Sequence, residues 1–169
     1  MLIYANDHDD KLPVAGGPNG RCVARLPWWA AENLTDAYGL GDPNATDGRG
    51  SISASLYLLV KYAEVTPKSF VCRADYGTTE FKPTKYGLAD KNLTHLWDFG
   101  PDPPKHCSYS YHIPYGPHGL TTSCEPGMAV AADRNPWIDS PFAKARDFSL
   151  FKPDIDPWNG TAEQACAGN

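Results

Sequence analysis

The sequence predicts an α+β fold in which helices come first and a small antiparallel sheet follows. Apolar residues recur at helical spacing in "SISASLYLLVKYAEV" (51–65). After Thr66 the apolar residues fall into short extended pieces, such as "SYSYHI" (108–113), where small polar and aromatic residues alternate. The chain also carries 16 Pro and 15 Gly in 169 residues, which predicts short elements joined by many loops.

Three helices are expected in the first 65 residues. Residues 1–7 predict the last turns of a helix, because Pro13 stops its continuation. "LPWWAAENL" (26–34) predicts a short helix with Pro27 at its first position. The strongest helix begins after Ser51, a good N-cap. Its predicted core face consists of Ile52, Leu56, Leu59, Val60 and Ala63.

The rest of the chain predicts strands and loops, and the length of 169 residues predicts a single domain spanning 1–169. Residues 39–50 read as a loop, and "SPFAKARDFS" (140–149) predicts a further short helix. Residues 150–169 predict a polar tail. The candidate strands are "KSFVC" (68–72), "HLWDF" (95–99), "SYSYHI" (108–113) and "GMAVAAD" (127–133).

Composition and charge limit the classes of partner. The chain is 41% hydrophobic and 21% charged, which is typical of a globular protein. Its formal net charge is −5 and its Lys and Arg residues are scattered, so there is no electrostatic reason to expect nucleic acid. The sequence contains no apolar run of about 18 residues or more, the length that a membrane-spanning helix requires.

The acidic cluster in "NDHDDK" raises the question of a metal site. Asp7, Asp9 and Asp10 alternate around His8 as acids do in calcium loops, but the EF-hand pattern fails at its fifth, sixth and twelfth positions. A solvated helix end is the favoured interpretation. Acids are poorly suited to a helix C-terminus, whose dipole favours cations, and this leaves Ca²⁺ open at the three aspartates. No other cofactor is predicted.

The cysteines and histidines favour disulfides over zinc. His106, Cys107, His112, His118 and Cys124 lie within 19 residues, but their spacings do not match those of structural zinc sites. Well-spread cysteines in a Pro- and Gly-rich chain fit disulfide bonding outside the cytoplasm. The candidates are Cys22, Cys72, Cys107, Cys124 and Cys166, an odd number whose pairing the spacing leaves open.

Four asparagines stand in N-x-T sequons, which matter only if the chain meets a glycosylation enzyme. The alternative is a set of polar loops rich in Asn and Thr. Asp90 precedes Asn92 by two residues, as in the extended bacterial sequon, and Asp42 precedes Asn44 in the same way, although Pro43 between them departs from that sequon. The candidate glycosylation sites are Asn33, Asn44, Asn92 and Asn159.

No catalytic motif is present: the sequence has no nucleophile elbow, HExxH, P-loop or GxGxxG. The chain is therefore predicted not to be an enzyme. Two alternatives stay open. One is a small hydrolase around Asp133, His106 and His112. The other is a secreted glycan- or ligand-binding module, and its candidate aromatic residues are Trp28, Trp29, Trp97 and Trp137.

Three stretches, "MLIYANDHDDKLP", "SFVC" and "PGMAVAADRNPW", resemble proteins with a prepilin-type N-terminal cleavage/methylation motif. The resemblance is to type II secretion pseudopilins and type IV pilin-like proteins, especially a set from planctomycete-like bacteria, and it covers most of residues 1–140. In that family a hydrophobic N-terminal helix carries the processing site. This sequence departs from the pattern because that segment is not in it, and because the family's closing hairpin is not in it either.

The resemblance implies a structural protein of the cell envelope or extracellular space. It implies a non-enzymatic subunit of a filament whose partners are proteins, chiefly other pilin-like subunits. It implies membrane attachment only through the N-terminal helix, of which residues 1–7 would be the end. Leu2, Ile3 and Tyr4 would then belong to the buried or filament-facing side.

Overall fold

The computed structural model describes residues 1–17, 19–41, 48–73, 75, 77–115, 120–125 and 127–133. The chain divides into two compact units, Met1–Ala132 and Asp133–Asn169, and the described residues belong to the first unit except for Asp133. The predicted helix at 140–149 and the predicted tail at 150–169 lie outside the described residues. The single domain spanning 1–169 stays a prediction.

Three α-helices occur in the described residues, and two of them match the prediction. Helix α1 spans Leu2–Asn6 and ends at Asp7. Helix α2 spans Leu34–Tyr38, and helix α3 spans Ile52–Tyr62. The N-cap prediction for α3 is confirmed, since the Ser51 hydroxyl accepts a hydrogen bond of 3.0 Å from the Ala54 backbone N–H.

Helix α3 is the centre of the fold. Every residue from Ala54 to Val60 is buried, so the helix is surrounded by protein along this stretch. The predicted core face is confirmed at Leu56, Leu59 and Val60, whereas Ile52 and Ala63 are half-buried. Helix α3 packs against β3 and against a 3₁₀ helix at Leu93–His95.

The strands form two small two-stranded sheets. Strands β1 (Arg21–Cys22) and β2 (Arg49–Gly50) pair in parallel, with Arg21 opposite Arg49. Strands β3 (Tyr109–Tyr111) and β4 (Ala131–Asp133) form the other sheet. The His112 N–H donates to the Val130 carbonyl and the Ser110 hydroxyl donates to the Ala132 carbonyl, so this pair runs antiparallel. The α+β fold with a small antiparallel sheet is therefore confirmed.

The predicted helix at 26–34 is wrong. Residues 27–30 form turns, and the helix starts only after Asn33, whose side chain accepts a hydrogen bond from the Asp36 N–H. Two backbone carbonyls that would accept hydrogen bonds within a helix at 26–34 accept them from Trp97 instead. The Trp29 carbonyl accepts from the Trp97 N–H at 2.8 Å, and the Ala31 carbonyl accepts from the Trp97 indole N–H at 2.9 Å.

Two of the four predicted strands are also wrong. Most of 68–72 lies in a 3₁₀ helix at Pro67–Phe70, which begins with a proline. Within 95–99 the Asp98 carboxyl accepts a hydrogen bond from the next backbone N–H, that of Phe99, and the chain bends instead of pairing. The strands predicted at 108–113 and 127–133 are present, although each is shorter than predicted.

The core is rich in aromatic rings. Tyr57 of α3 packs edge-on against Phe81 and Phe99, with ring centroids 6.1 and 4.9 Å apart. Phe70 also packs against Phe99, with ring centroids 5.0 Å apart. These rings join α3 to loop segments that have little regular structure of their own.

In the part of the chain that the structure describes, no helix combines the length and the apolar character needed to cross a membrane.

Candidate functional site

Helix α1 presents the most exposed aliphatic side chains in the described residues. Tyr4 and Ala5 are buried, whereas Leu2 is 69% exposed and Ile3 is 72% exposed. Tyr62, at the end of α3, lies beside Tyr4 with ring centroids 6.4 Å apart and is itself exposed. We call Leu2 and Ile3 the α1 surface. That these two residues face a filament stays a prediction.

The acidic residues after α1 form the solvated helix end that the sequence predicts. Asp7, Asp9 and Asp10 are all exposed. Asp9 and Asp10 adopt positive φ angles of 53° and 60°, a left-handed turn that Asp tolerates better than most residues. His8 closes the helix by donating from Nδ1 to the Tyr4 carbonyl at 2.8 Å and by stacking on the Tyr4 ring.

The three aspartates are not gathered into a group that could hold a metal ion. Among the described residues, which include all three, no such group of three or more His, Cys, Asp or Glu side chains is found. The structure therefore gives no support to Ca²⁺ at Asp7, Asp9 and Asp10.

Asp98 organises a buried polar group at the start of α3, which we call the Asp98 network. Its Oδ2 accepts from the Ser51 hydroxyl at 2.8 Å, from the Ser53 hydroxyl at 3.1 Å and from the Leu26 N–H at 3.4 Å. Its Oδ1 accepts from the Phe99 N–H at 2.8 Å. A carboxylate at the N-terminus of a helix is favoured by the helix dipole. Through its bonds to Ser51 and Ser53, Asp98 holds the start of α3 in place.

The Asp98 carboxyl is fully buried, and none of its hydrogen-bond donors is a cationic side chain. Burial raises its pKa from 3.8 to about 6, and the four hydrogen bonds act in the opposite direction. Nearby, the Ser55 hydroxyl bonds to the Tyr115 hydroxyl at 3.2 Å and accepts from the Ala15 N–H at 3.1 Å. This second set of bonds ties the loop after α1 to helix α3.

The side chains of Tyr86 and His106 are joined by a hydrogen bond. The Nδ1 atom of His106 faces the Thr79 carbonyl at 2.8 Å, and because a carbonyl only accepts, Nδ1 carries the proton. The Nε2 atom then accepts from the Tyr86 hydroxyl at 2.5 Å. Burial raises the pKa of Tyr86, and the Asp102 carboxylate raises it further. The pair holds two loop segments together.

The histidines of the alternative hydrolase lie in different surroundings. Both ring nitrogens of buried His106 are bound, to Tyr86 and Thr79, whereas His112 is exposed, as is Asp133. Because both ring nitrogens of His106 are hydrogen-bonded, neither is free to bind zinc. His118 lies outside the described residues.

The described cysteines show no disulfide among Cys22, Cys72 and Cys124, which carry free thiols. Cys107 is buried, and its Sγ lies 3.5 Å from the Tyr109 carbonyl. Cys166 is outside the described residues. Disulfide bonding of this chain stays a prediction.

The tryptophans do not form a shared exposed face in the described residues. Trp97 is buried beneath the Lys61 ammonium, which lies 3.7 Å from its ring centroid. Trp29 is half-buried and packs edge-on against Tyr86. Trp28 is exposed, with the Arg49 guanidinium 5.5 Å from its ring centroid. Trp137 lies outside the described residues. A glycan-binding platform would need coplanar exposed rings, and these three differ in exposure.

Two of the four candidate glycosylation sites are described. Asn33 is the N-cap of α2, and Asn92 is the N-cap of the 3₁₀ helix at Leu93–His95. Both asparagines are exposed. Asn44 and Asn159 lie outside the described residues.

Sequence reasoning missed Asp98 and Tyr86. The pattern at 95–99 predicts a strand that includes Asp98, although an acid in the apolar stretch "HLWDFG" is a signal of a buried, hydrogen-bonded carboxyl. Nothing local to "PTKYG" marks Tyr86 as the partner of a histidine 20 positions away.

Comparison of the chain with protein-family models, with curated proteins and with solved structures finds no match.

Proposed function

We propose that this chain is a non-enzymatic, pilin- or pseudopilin-like structural subunit that acts by assembly and protein contact. The observation that carries the proposal is the two-sided character of α1. One side of this short helix is packed into the domain through Tyr4 and Ala5, while Leu2 and Ile3 remain in water.

Exposed aliphatic side chains at adjacent positions favour contact with another apolar surface. Covering a Leu or Ile side chain contributes about 1.5–3 kcal/mol. Leu2 and Ile3 are adjacent in the chain and are both more than two-thirds exposed, so they offer such a surface together. The α1 surface is thus suited to pack against a further helical segment or a neighbouring subunit.

The proposed partners are other pilin-like subunits, and the proposed location is the cell envelope or the extracellular space. Attachment to a membrane would depend on a hydrophobic helix joined to α1 on its N-terminal side, as the family resemblance implies.

Sedimentation velocity over a range of concentrations tests the α1 surface. We expect weak self-association that is insensitive to salt, because apolar burial drives it. The double variant Leu2→Glu/Ile3→Glu should weaken the association constant by about tenfold or more, since each charge opposes burial.

Ile113→Glu is the matched control, because Ile113 is also exposed (59%) and lies next to β3, away from α1 in the sequence. Equal weakening by the control and the double variant would show that the α1 surface is not the contact.

The coding sequence upstream of the Met1 codon tests the family independently. A basic leader, a processing Gly and about 20 apolar residues there are expected; an in-frame stop codon immediately upstream would contradict the proposal.

A further inference from the structure

Two described asparagines stand in the same triplet, Asn-Leu-Thr, in different surroundings. They are Asn33, followed by Leu34 and Thr35, and Asn92, followed by Leu93 and Thr94. Both are exposed N-caps, so sequence and exposure alone do not distinguish them.

The side-chain amide of Asn33 is engaged at both ends. Its Oδ1 accepts from the Asp36 N–H at 2.9 Å, and its Nδ2 donates to the Asp36 carboxylate at 2.8 Å. A transferase that took this amide into its active site would have to remove the cap of α2. The Nδ2 atom, which would carry a glycan, is the atom that Asp36 holds.

Asn92 has no such engagement. Its side chain makes no capping hydrogen bond, and its backbone is extended, with φ −68° and ψ 149°. Thr94, the other residue that a sequon-reading enzyme must recognise, is exposed as well. The segment is held in place through its backbone instead, because the Tyr57 hydroxyl donates to the Leu93 carbonyl at 2.9 Å and the Lys61 ammonium donates to the Thr94 carbonyl.

Asp90 adds a second distinction. It lies two residues before Asn92 and is exposed, whereas Ala31 occupies the corresponding position before Asn33. An acid at this position offers a carboxylate to a basic side chain of an enzyme that reads the residues around the asparagine.

We propose that Asn92 is an acceptor site for N-linked glycosylation by an oligosaccharyltransferase that requires an acid two residues before the asparagine, and that Asn33 is not. The donor is an oligosaccharide linked to a polyprenyl diphosphate. The Asn92 Nδ2 atom forms a bond to the anomeric carbon while the bond from that carbon to the diphosphate breaks. The polyprenyl diphosphate leaves with the bonding electrons, and the amide proton passes to a base of the enzyme.

This assignment does not depend on the proposed function. A glycan on Asn92 would stand on the 3₁₀ helix that packs against α3 and would keep that part of the surface in solvent. Any contact between this domain and another protein would then exclude the neighbourhood of Asn92.

The test incubates the purified, folded full chain with a purified bacterial single-subunit oligosaccharyltransferase and its lipid-linked oligosaccharide. Glycopeptide mass spectrometry reads each asparagine separately. We expect Asn92 occupancy to exceed that of Asn33 by about fivefold or more. Asn92→Gln should remove the modification, Asn33→Gln should leave it unchanged, and Asp90→Ala should lower it strongly.

Synthetic peptides spanning 30–37 and 89–96 separate the effect of the hydrogen bonds to Asp36 from the effect of the acid two residues before the asparagine. An Ala31→Asp substitution in both the first peptide and the folded chain gives Asn33 its missing acid; circular dichroism checks that the chain still folds. The peptide should now be modified, and Asn33 of the folded chain should remain poorly modified because Asp36 holds it. The proposal is overturned if the folded chain stays unmodified at Asn92 while the 89–96 peptide is modified, or if Asn33 and Asn92 of the folded wild-type chain are modified equally.

Discussion

At the scale of single residues, Asp98 links stability to pH. Its carboxyl is fully buried, and its partners are two serine hydroxyls and two backbone N–H groups. The tyrosines whose pKa values its charge raises are Tyr38, Tyr57 and Tyr115, and they are neutral near pH 7. No cationic side chain among its described partners offsets the desolvation of the charged form, so its pKa is high.

The contribution of Asp98 to stability should therefore fall as pH rises. The folded carboxyl binds its proton up to about pH 6, whereas the unfolded one releases it near 3.8. Between these values the folded state holds more protons, so the free energy of unfolding decreases with pH, by about 3 kcal/mol in total from this group. Urea denaturation between pH 3 and pH 7.5 measures this decrease in the free energy of unfolding.

Asp98→Asn provides the comparison for this pH dependence. An amide does not titrate in this range, so the difference in unfolding free energy between wild type and variant should change steadily between about pH 4 and pH 6 and be constant above that. Parallel pH profiles for the two proteins would contradict the assignment, whatever the absolute stability of the variant.

At the scale of elements, α3 depends on its first turn. Ser51 accepts from the Ala54 N–H as the N-cap and donates to the Asp98 carboxyl, so one side chain serves both the helix and the tertiary structure. Helix α1 has no side-chain hydrogen bond at its N-cap, Met1; its Tyr4 and Ala5 are buried, and His8 binds the Tyr4 carbonyl at its other end. The stability of α3 is thus determined at its N-terminus as well as by its packing.

Ser51→Ala should lower the free energy of unfolding by about 2–3 kcal/mol, because it removes the cap and leaves a buried carboxyl with one donor fewer. Thermal and urea denaturation at pH 7 would show this. Ser69→Ala is the matched control: Ser69 is exposed and bonds only to the Thr66 hydroxyl. Its effect should stay within about 0.5 kcal/mol. A similar loss in both variants would mean that the network at Ser51 contributes little.

At the scale of the described fold, three segments meet at Gly50. A Cβ atom on this residue would contact the Ala15 carbonyl oxygen and the Tyr115 hydroxyl, both closer than side-chain atoms normally approach. Gly50 ends β2, directly before Ser51, so the same point joins the loop after α1, the parallel sheet and the start of α3. Close backbone approach is the reason that only glycine fits.

Gly50→Ala should destabilise the protein by about 3 kcal/mol or more, because a backbone carbonyl does not move aside as a flexible side chain does. Gly127→Ala is the control, since a Cβ there meets nothing within 4 Å and the residue is exposed. Denaturation of the two variants side by side measures the difference. If Gly50→Ala unfolds at the same denaturant concentration as Gly127→Ala, the segments do not meet as closely as described.

The sequence by itself determined the α+β class, the position of α3 and its Ser51 cap, the end of α1 near Asp7 and the locations of β3 and β4. These features depend on residues within about four positions of one another: a capping hydroxyl, a helical repeat, an alternation or a following proline. Local chemistry is sufficient to specify them, and the sequence displays it directly.

Only the tertiary structure decided what happens at 26–34 and 95–99. The carbonyls of Trp29 and Ala31 are taken by Trp97, and the Asp98 carboxyl meets donors 45, 47 and 72 positions away in the chain. Local propensity favoured a helix and a strand there, and long-range hydrogen bonds outweighed it. The same holds for Asn33 and Asn92, whose triplets are identical: a single partner, Asp36, makes one a structural cap and leaves the other available.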